Sequence, residues 1–218
     1  MAFQDLVTGA QKYFPDLQIK YKDQSPFMKA LGTILFFNPG FMKSFTTTVG
    51  ETVYFPSEPF VKVRPISSSV VLMHEFVHMN DEKKLSKPVF SLSYLFPQIL
   101  LPIFLVMLFF VTWKIMLPLI LLSLLPIPAY FRMNYEKRAY ISSLYTLYKL
   151  GQLKSFDPKL DAQAASFVQY FKDGSYYFMW PFGNVQKEFD DALVLVKAGK
   201  RPYEDPVFDI LDDLITKV

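Results

Sequence analysis

Residues 68–86 read "SSVVLMHEFVHMNDEKKLS" and contain the only two histidines of the chain, His74 and His78. Side chains four residues apart share a face of an α-helix, so both imidazoles can point at one ion while Glu75 stands beside them. Neutral imidazole nitrogens suit zinc, and a carboxylate next to a metal-polarised water can take its proton. The pattern reads as a zinc site with His74 and His78 as ligands and Glu75 as general base. The competing reading is a pair of satisfied histidines in a buried helix. The lead-in "SSVVLM" supplies a serine cap and an apolar entry for that helix.

Two histidines leave a catalytic zinc one protein ligand short. With no cysteine and no third histidine in the chain, the remaining ligand must be a carboxylate. Glu136 is the first candidate, because it falls on the first helix after the hydrophobic region and can face the histidine helix. Asp81 is the rival, since it lies seven residues after His74 and so on the same face. In its charged run "NDEKK", Asp81 also reads as an ordinary solvent-facing acid. The lack of cysteine excludes disulfides and fits a reducing compartment.

The 218 residues are 51% hydrophobic and include 23 Phe and 13 Tyr, more aromatic weight than a soluble domain of this size carries. Much of it sits in one place. Residues 89–113 form 25 positions without a charge, Lys114 interrupts, and residues 115–131 add 17 more. At about 1.5 Å per residue the first run exceeds the roughly 30 Å of a bilayer core, while the second only just reaches it. The expectation is a transmembrane helical hairpin over 88–131, kinked at Pro97, Pro102, Pro118 and Pro126. A hairpin that enters one leaflet and returns, or a buried helical pair in a soluble oligomer, gives the same composition.

A hairpin returns the chain to the side it left, so residues 1–87 and 132–218 share one face of the membrane. Lys83, Lys84 and Lys87 flank the entry and Arg132, Lys137 and Arg138 the exit, against Lys114 at the far turn, which places both halves in the cytoplasm by the positive-inside rule. The amino terminus "MAFQDLVTGAQKYFPDLQ" lacks the basic and apolar regions of a secretory signal. A net charge of +3 from 23 basic and 20 acidic residues, without a basic stripe, argues against a nucleic-acid partner.

Around these landmarks the expected class is α+β: a short sheet and active-site helices, interrupted by the hairpin. "DLQIKYK" reads as a strand and "SPFMKALGTILFF" as a helix capped by Ser25 and ended by "NPG" at 38–40. "FTTTVGETVYFP" reads as a β-hairpin turning at Gly50-Glu51. After residue 131, "NYEKRAYISSLYTLYKLG" predicts a helix stopped by Gly151, Asp157-Pro158 opens an amphipathic stretch to about Phe171, and helices near 184–198 and 204–216 finish the chain. The aromatic segment "GSYYFMWPFG" at 174–183 reads as a loop covering the core.

The motif, the two hydrophobic runs and "EKRAY" at 136–140 together resemble the membrane gluzincins, integral-membrane zinc peptidases that include heat-shock quality-control and CAAX-processing proteases. The resemblance covers about residues 45–145. It implies that Glu136, from the family's Glu-x-x-Ala-Asp pattern, is the third zinc ligand, and that Tyr140 stands where the family has an Asp that orients a histidine. It also implies that the strand before the histidine helix, with "TVYFPSE" as the edge, pairs with an extended peptide substrate. The small size is similar to that of minimal gluzincins, some of them from phages.

The expected function is a membrane-anchored, zinc-dependent endopeptidase acting on a peptide or protein substrate. Oxyanion donors would come from Tyr140, Tyr145, Tyr176, Tyr177 or Arg201. The alternatives are an inactive membrane structural or interaction protein, such as a phage component that retains the fold, and a toxin-like peptidase or holin-like hairpin. Nothing in the pattern fixes an oligomeric state.

Overall fold

The computed structural model describes residues 3–36, 38, 40–125, 127–154, 156–172 and 184–216. Helix α1 (Phe3–Ala10) leads into strand β1 (Gln18–Tyr21), then α2 (Pro26–Ile34) and the short α3 (Gly40–Lys43). Strands β2 (Thr47–Val49) and β3 (Thr52–Phe55) follow, then α4 (Glu58–Val63) and α5 (Pro65–Leu85), which carries both histidines. The apolar region forms α6 (Lys87–Leu95), α7 (Leu100–Met107) and α8 (Trp113–Ser123). Helices α9 (Tyr130–Lys149), α10 (Pro158–Lys172), α11 (Val185–Lys197) and α12 (Val207–Ile215) complete the α+β fold.

Several local expectations are met for the reasons that produced them. Ser25 caps α2 by accepting a hydrogen bond from the Met28 N–H at 3.3 Å. Gly50 takes φ +60°, and the β2–β3 turn closes with Val49 opposite Thr52. Gly151 (φ +68°) ends α9, with the Gln152 N–H bonded to the Leu147 carbonyl at 3.1 Å. Helices α10, α11 and α12 lie where their amphipathic patterns put them. The segment 174–183 falls outside the described residues.

Two expectations are corrected. The histidine helix starts at Pro65, not at a serine cap: Arg64 before the proline leaves the helical region (φ −129°, ψ 57°), and Ser68 and Ser69 are buried inside α5. The sheet order is β1-β3-β2. Strand β1 pairs in parallel with β3, Ile19 opposite Val53, so "TVYFPSE" supplies the central strand and the edges are β1 and β2.

The hydrophobic region is not built as two straight helices, although by length and composition the bent pair of α6 and α7 together is enough to cross a membrane. No single described helix is long and apolar enough to cross a membrane. Phe96, held extended (ψ 138°) ahead of Pro97, ends α6, and α6 and α7 meet at a bend of 94°. The second run yields only α8, 11 residues with Pro118 inside it. At 1.5 Å per residue α7 and α8 are about 12 Å and about 16 Å long, close to half of a roughly 30 Å bilayer core. Packed against each other, they form a short apolar arm.

Two cores hold the rest. One side of α5 packs with α1, α12 and the sheet; Phe76, fully buried, stacks on Phe14 with ring centroids 5.1 Å apart. Burying such a ring contributes about 2–3 kcal/mol. The second core joins α9 to α10 and α11 through Ile141, Leu144, Phe171 and Phe189. The short α3 and α4 have no clear signature in the sequence. Helix α3 is tethered by Lys22, fully buried, whose ammonium donates to the Phe41 carbonyl at 2.6 Å and whose pKa burial lowers to about 8. Helix α4 is capped by Ser57.

Candidate metal centre

Helices α5 and α9 pack along their lengths, which brings His74 and His78 against Glu136 across a separation of about sixty residues in the chain. His74 Nε2 lies 3.2 Å from Glu136 Oε2 and 3.2 Å from His78 Nε2, and His78 Nε2 lies 3.6 Å from Glu136 Oε1. All three side chains are buried. Ligand atoms about 2.0–2.1 Å from a tetrahedral zinc stand roughly 3.3 Å from one another. The observed separations, which run to the two different oxygens of Glu136, are close to that spacing, and the three residues could together hold a metal ion.

The donor set also has the right tautomer on one side. Ser143 Oγ donates to the Ala139 carbonyl at 3.0 Å and lies 3.3 Å from His74 Nδ1. With its proton so committed, the hydroxyl accepts from Nδ1–H, which leaves the Nε2 lone pair of His74 turned toward the cluster. His78 Nδ1 is buried without a hydrogen-bond partner among the described residues.

Without a metal the cluster holds protons instead. Burial opposes charge on His78, but the adjacent Glu136 carboxylate outweighs it and raises the His78 pKa above its usual value near 6.5. Burial likewise pushes Glu136 upward, yet His78 and His74 together hold it well below the ordinary 4.5. The raised His78 stabilises the fold below its unfolded pKa and loses that contribution as pH rises through the folded value. The lowered Glu136 stabilises it above 4.5 and loses that as pH falls through its folded value. Metal-free protein should therefore keep both contributions between about pH 4.5 and 6.5. Since zinc requires unprotonated imidazoles, its stabilising effect should grow from pH 6 to pH 8. Thermal melts with zinc and with chelator across that range check the crossing trends.

Glu75 is half-buried beside the cluster, with its Oε2 accepting from Thr48 Oγ1 at 2.8 Å. Thr48 belongs to the edge strand β2, so the strand that borders the site also orients the acid. A cleft of about 1420 Å³ runs past them, lined by Thr48, Glu75, Tyr94, Tyr140, Phe167 and Tyr170 among others.

The other sequence candidates divide. Tyr140 sets its ring edge-on to His74 with centroids 4.7 Å apart and packs on Phe167 and Tyr170. It thus lines the cleft, while the bond that orients His74 comes from Ser143, one turn further along α9. Asp81 neither faces solvent nor joins the metal group: it is buried and ion-paired with Arg138, which also binds Asp205 at 3.1 Å. Tyr145 donates to Asp212 at 2.6 Å, and Arg201 is held by Asp209 and Asp212, so both serve the α12 interface away from the cleft. Tyr176 and Tyr177 lie outside the described residues.

Sequence reasoning missed two groups. Ser143 sits mid-helix in "ISSLY", and its only signal is the spacing of seven from Glu136. Tyr94 lies in the charge-free run assigned to lipid, yet its hydroxyl donates to Glu136 Oε1. No protein-family model, curated protein or solved structure matches the chain.

Proposed function

We propose that the chain is a zinc-dependent endopeptidase seated on a membrane. The observation that carries this reading is the convergence of His74, His78 and Glu136 at tetrahedral ligand spacing, with Glu75 beside them on the wall of an open cleft. The donor set of two imidazoles and one carboxylate is that of catalytic zinc sites, which keep a position open for water. Zinc bound there would supply a Lewis acid for the scissile carbonyl and lower the pKa of water.

The chain's own groups do the rest. A peptide segment pairs in extended form along β2, whose outer edge is free of other described strands. Glu75, held by Thr48, takes a proton from the attacking water as oxygen bonds to the carbonyl carbon, and delivers it to the amide nitrogen as the C–N bond breaks. Water is consumed and two chain ends are released. Tyr140 lies against His74 at the cleft wall, which supports it, among the described candidates, as the hydroxyl that stabilises the oxyanion.

The apolar arm is the membrane element. Phe109, Phe110 and Trp113 at its tip are 85%, 84% and 64% exposed, with aromatic rings of the kind that settle at the lipid interface. A hairpin dipping into one leaflet keeps residues 1–87 and 132–218 on one side, as a spanning one would. The excess of basic residues at the flanks over the single Lys114 at the turn supports the cytoplasm as that side.

Detergent-purified protein is expected to hold about one zinc per chain and to hydrolyse peptides in a chelator-sensitive way. Glu136→Ala is expected to lose the zinc. A native chain without zinc would refute the metal site; one with zinc but no hydrolysis of any peptide in a broad library would leave a metal-stabilised, non-proteolytic protein.

A further inference from the structure

We propose that Tyr94, on α6, the helix that leads into the apolar arm, is a positioning residue of the metal centre that holds Glu136 in the orientation facing the two histidines. The inference rests on the metal site of the proposed function and is independent of peptide hydrolysis.

A buried carboxylate has two oxygens and several lone-pair directions, so its plane is set by the donors that reach it. Tyr94 Oη donates to Glu136 Oε1. That bond leaves Oε2 toward His74 Nε2, at 3.2 Å. Tyr94 therefore stands to Glu136 as Ser143 stands to His74, a second group fixing the direction of a ligand.

The tyrosine is itself held from several sides. Its ring stacks on Tyr135 (centroids 6.4 Å apart, planes within 16°), contacts Phe90 at 5.8 Å and meets His78 edge-on at 5.9 Å. Arg132, one turn before Glu136 on α9, donates through Nε to the Tyr94 carbonyl at 3.0 Å and lies over its ring at 5.1 Å. A phenol fixed at ring and backbone delivers its hydroxyl to one place. Phenylalanine would keep the packing and lose only that donor.

The placement ties two parts of the molecule that composition separates. Metal ligands come from α5 and α9, whereas the group that aims one of them comes from α6, whose outer face (Val89, Leu92, Leu95) is exposed apolar surface continuous with the arm. The metal centre thus reaches the helix that leads into the arm.

The test is a cobalt(II) titration of the detergent-purified full chain, read by its visible ligand-field spectrum and by the dissociation constant. Wild type is expected to bind one cobalt. Tyr94→Phe should bind about 10- to 100-fold more weakly and give an altered ligand-field spectrum. Tyr135→Phe, whose hydroxyl meets Ser93 Oγ at 3.0 Å, should match wild type in both. Wild-type affinity and spectrum in Tyr94→Phe, or an equal loss in Tyr135→Phe, would overturn the proposal. Absence of cobalt binding by wild type would instead remove the metal site itself. If Tyr94→Phe fails to fold, Arg132→Gln, which loosens the seat of Tyr94 and spares its hydroxyl, should shift affinity the same way by a smaller factor; unchanged affinity there would count against Tyr94.

Discussion

Glu75→Gln is expected to bind zinc as wild type does and to lose turnover by about 10³-fold or more. The residue touches none of the three ligands' polar atoms, and glutamine retains an amide oxygen for the Thr48 hydroxyl that now meets Glu75 Oε2 at 2.8 Å, so the metal group and β2 should stay in place. What disappears is the base. General acid–base assistance contributes typically 10²–10⁴-fold, and one carboxylate here serves both proton transfers. The measurement is kcat on a cleaved peptide, normalised to bound zinc. Activity within tenfold of wild type at equal zinc would remove Glu75 from the mechanism, and loss of zinc in the variant would mean that Glu75 belongs to the metal group instead.

Replacing Phe109, Phe110 and Trp113 together by serine should release the chain from lipid. Each aromatic side chain moved from water to an apolar phase contributes about 1.5–3 kcal/mol when fully buried. Counting partial immersion, the three supply about 4 kcal/mol, or a fall in partitioning of about 10³-fold. None of the three touches the metal group, so cobalt or zinc binding in detergent should be unchanged. Flotation with liposomes after detergent removal reads the difference. Undiminished flotation of the triple variant would assign membrane contact to another surface, and the exposed α8 face with Leu117, Leu121 and Leu122 would be the next to change.

The candidate metal ligands were legible because their chemistry is rare in this chain and the spacing of the two histidines is local. His74 and His78 lie four apart on one helix, and Glu136 was singled out by its place on the next polar helix. Caps and turns at Ser25, Gly50 and Gly151 were legible for the same reason: each acts on residues within four positions. The rest depended on distant pairing. Nothing near β3 announces that β1 fills one of its edges, so the free edge was assigned to the wrong strand. Asp81 looked exposed because its neighbours are charged, but Arg138 on α9 buries it. The hydrophobic runs were long enough in composition to span a bilayer, while Phe96 ahead of Pro97 ends the helix there and a hydropathy count does not register that break. Tyr94 was hidden by its company, a polar hydroxyl in a run whose other members are mostly apolar.

The three ligands also impose an order in time. His78 and Glu136 are separated by the whole of the arm, and a ribosome adding 5–20 residues per second needs roughly 3 to 12 s to travel between them. During that interval the nascent chain carries a pair of histidines and a base but no complete site, and the apolar segment has emerged in full. On the proposed function, hydrolytic competence would arrive only after the apolar arm has been made, so a chain interrupted before α9 would be inert and the newborn chain would meet lipid before it could act on a substrate.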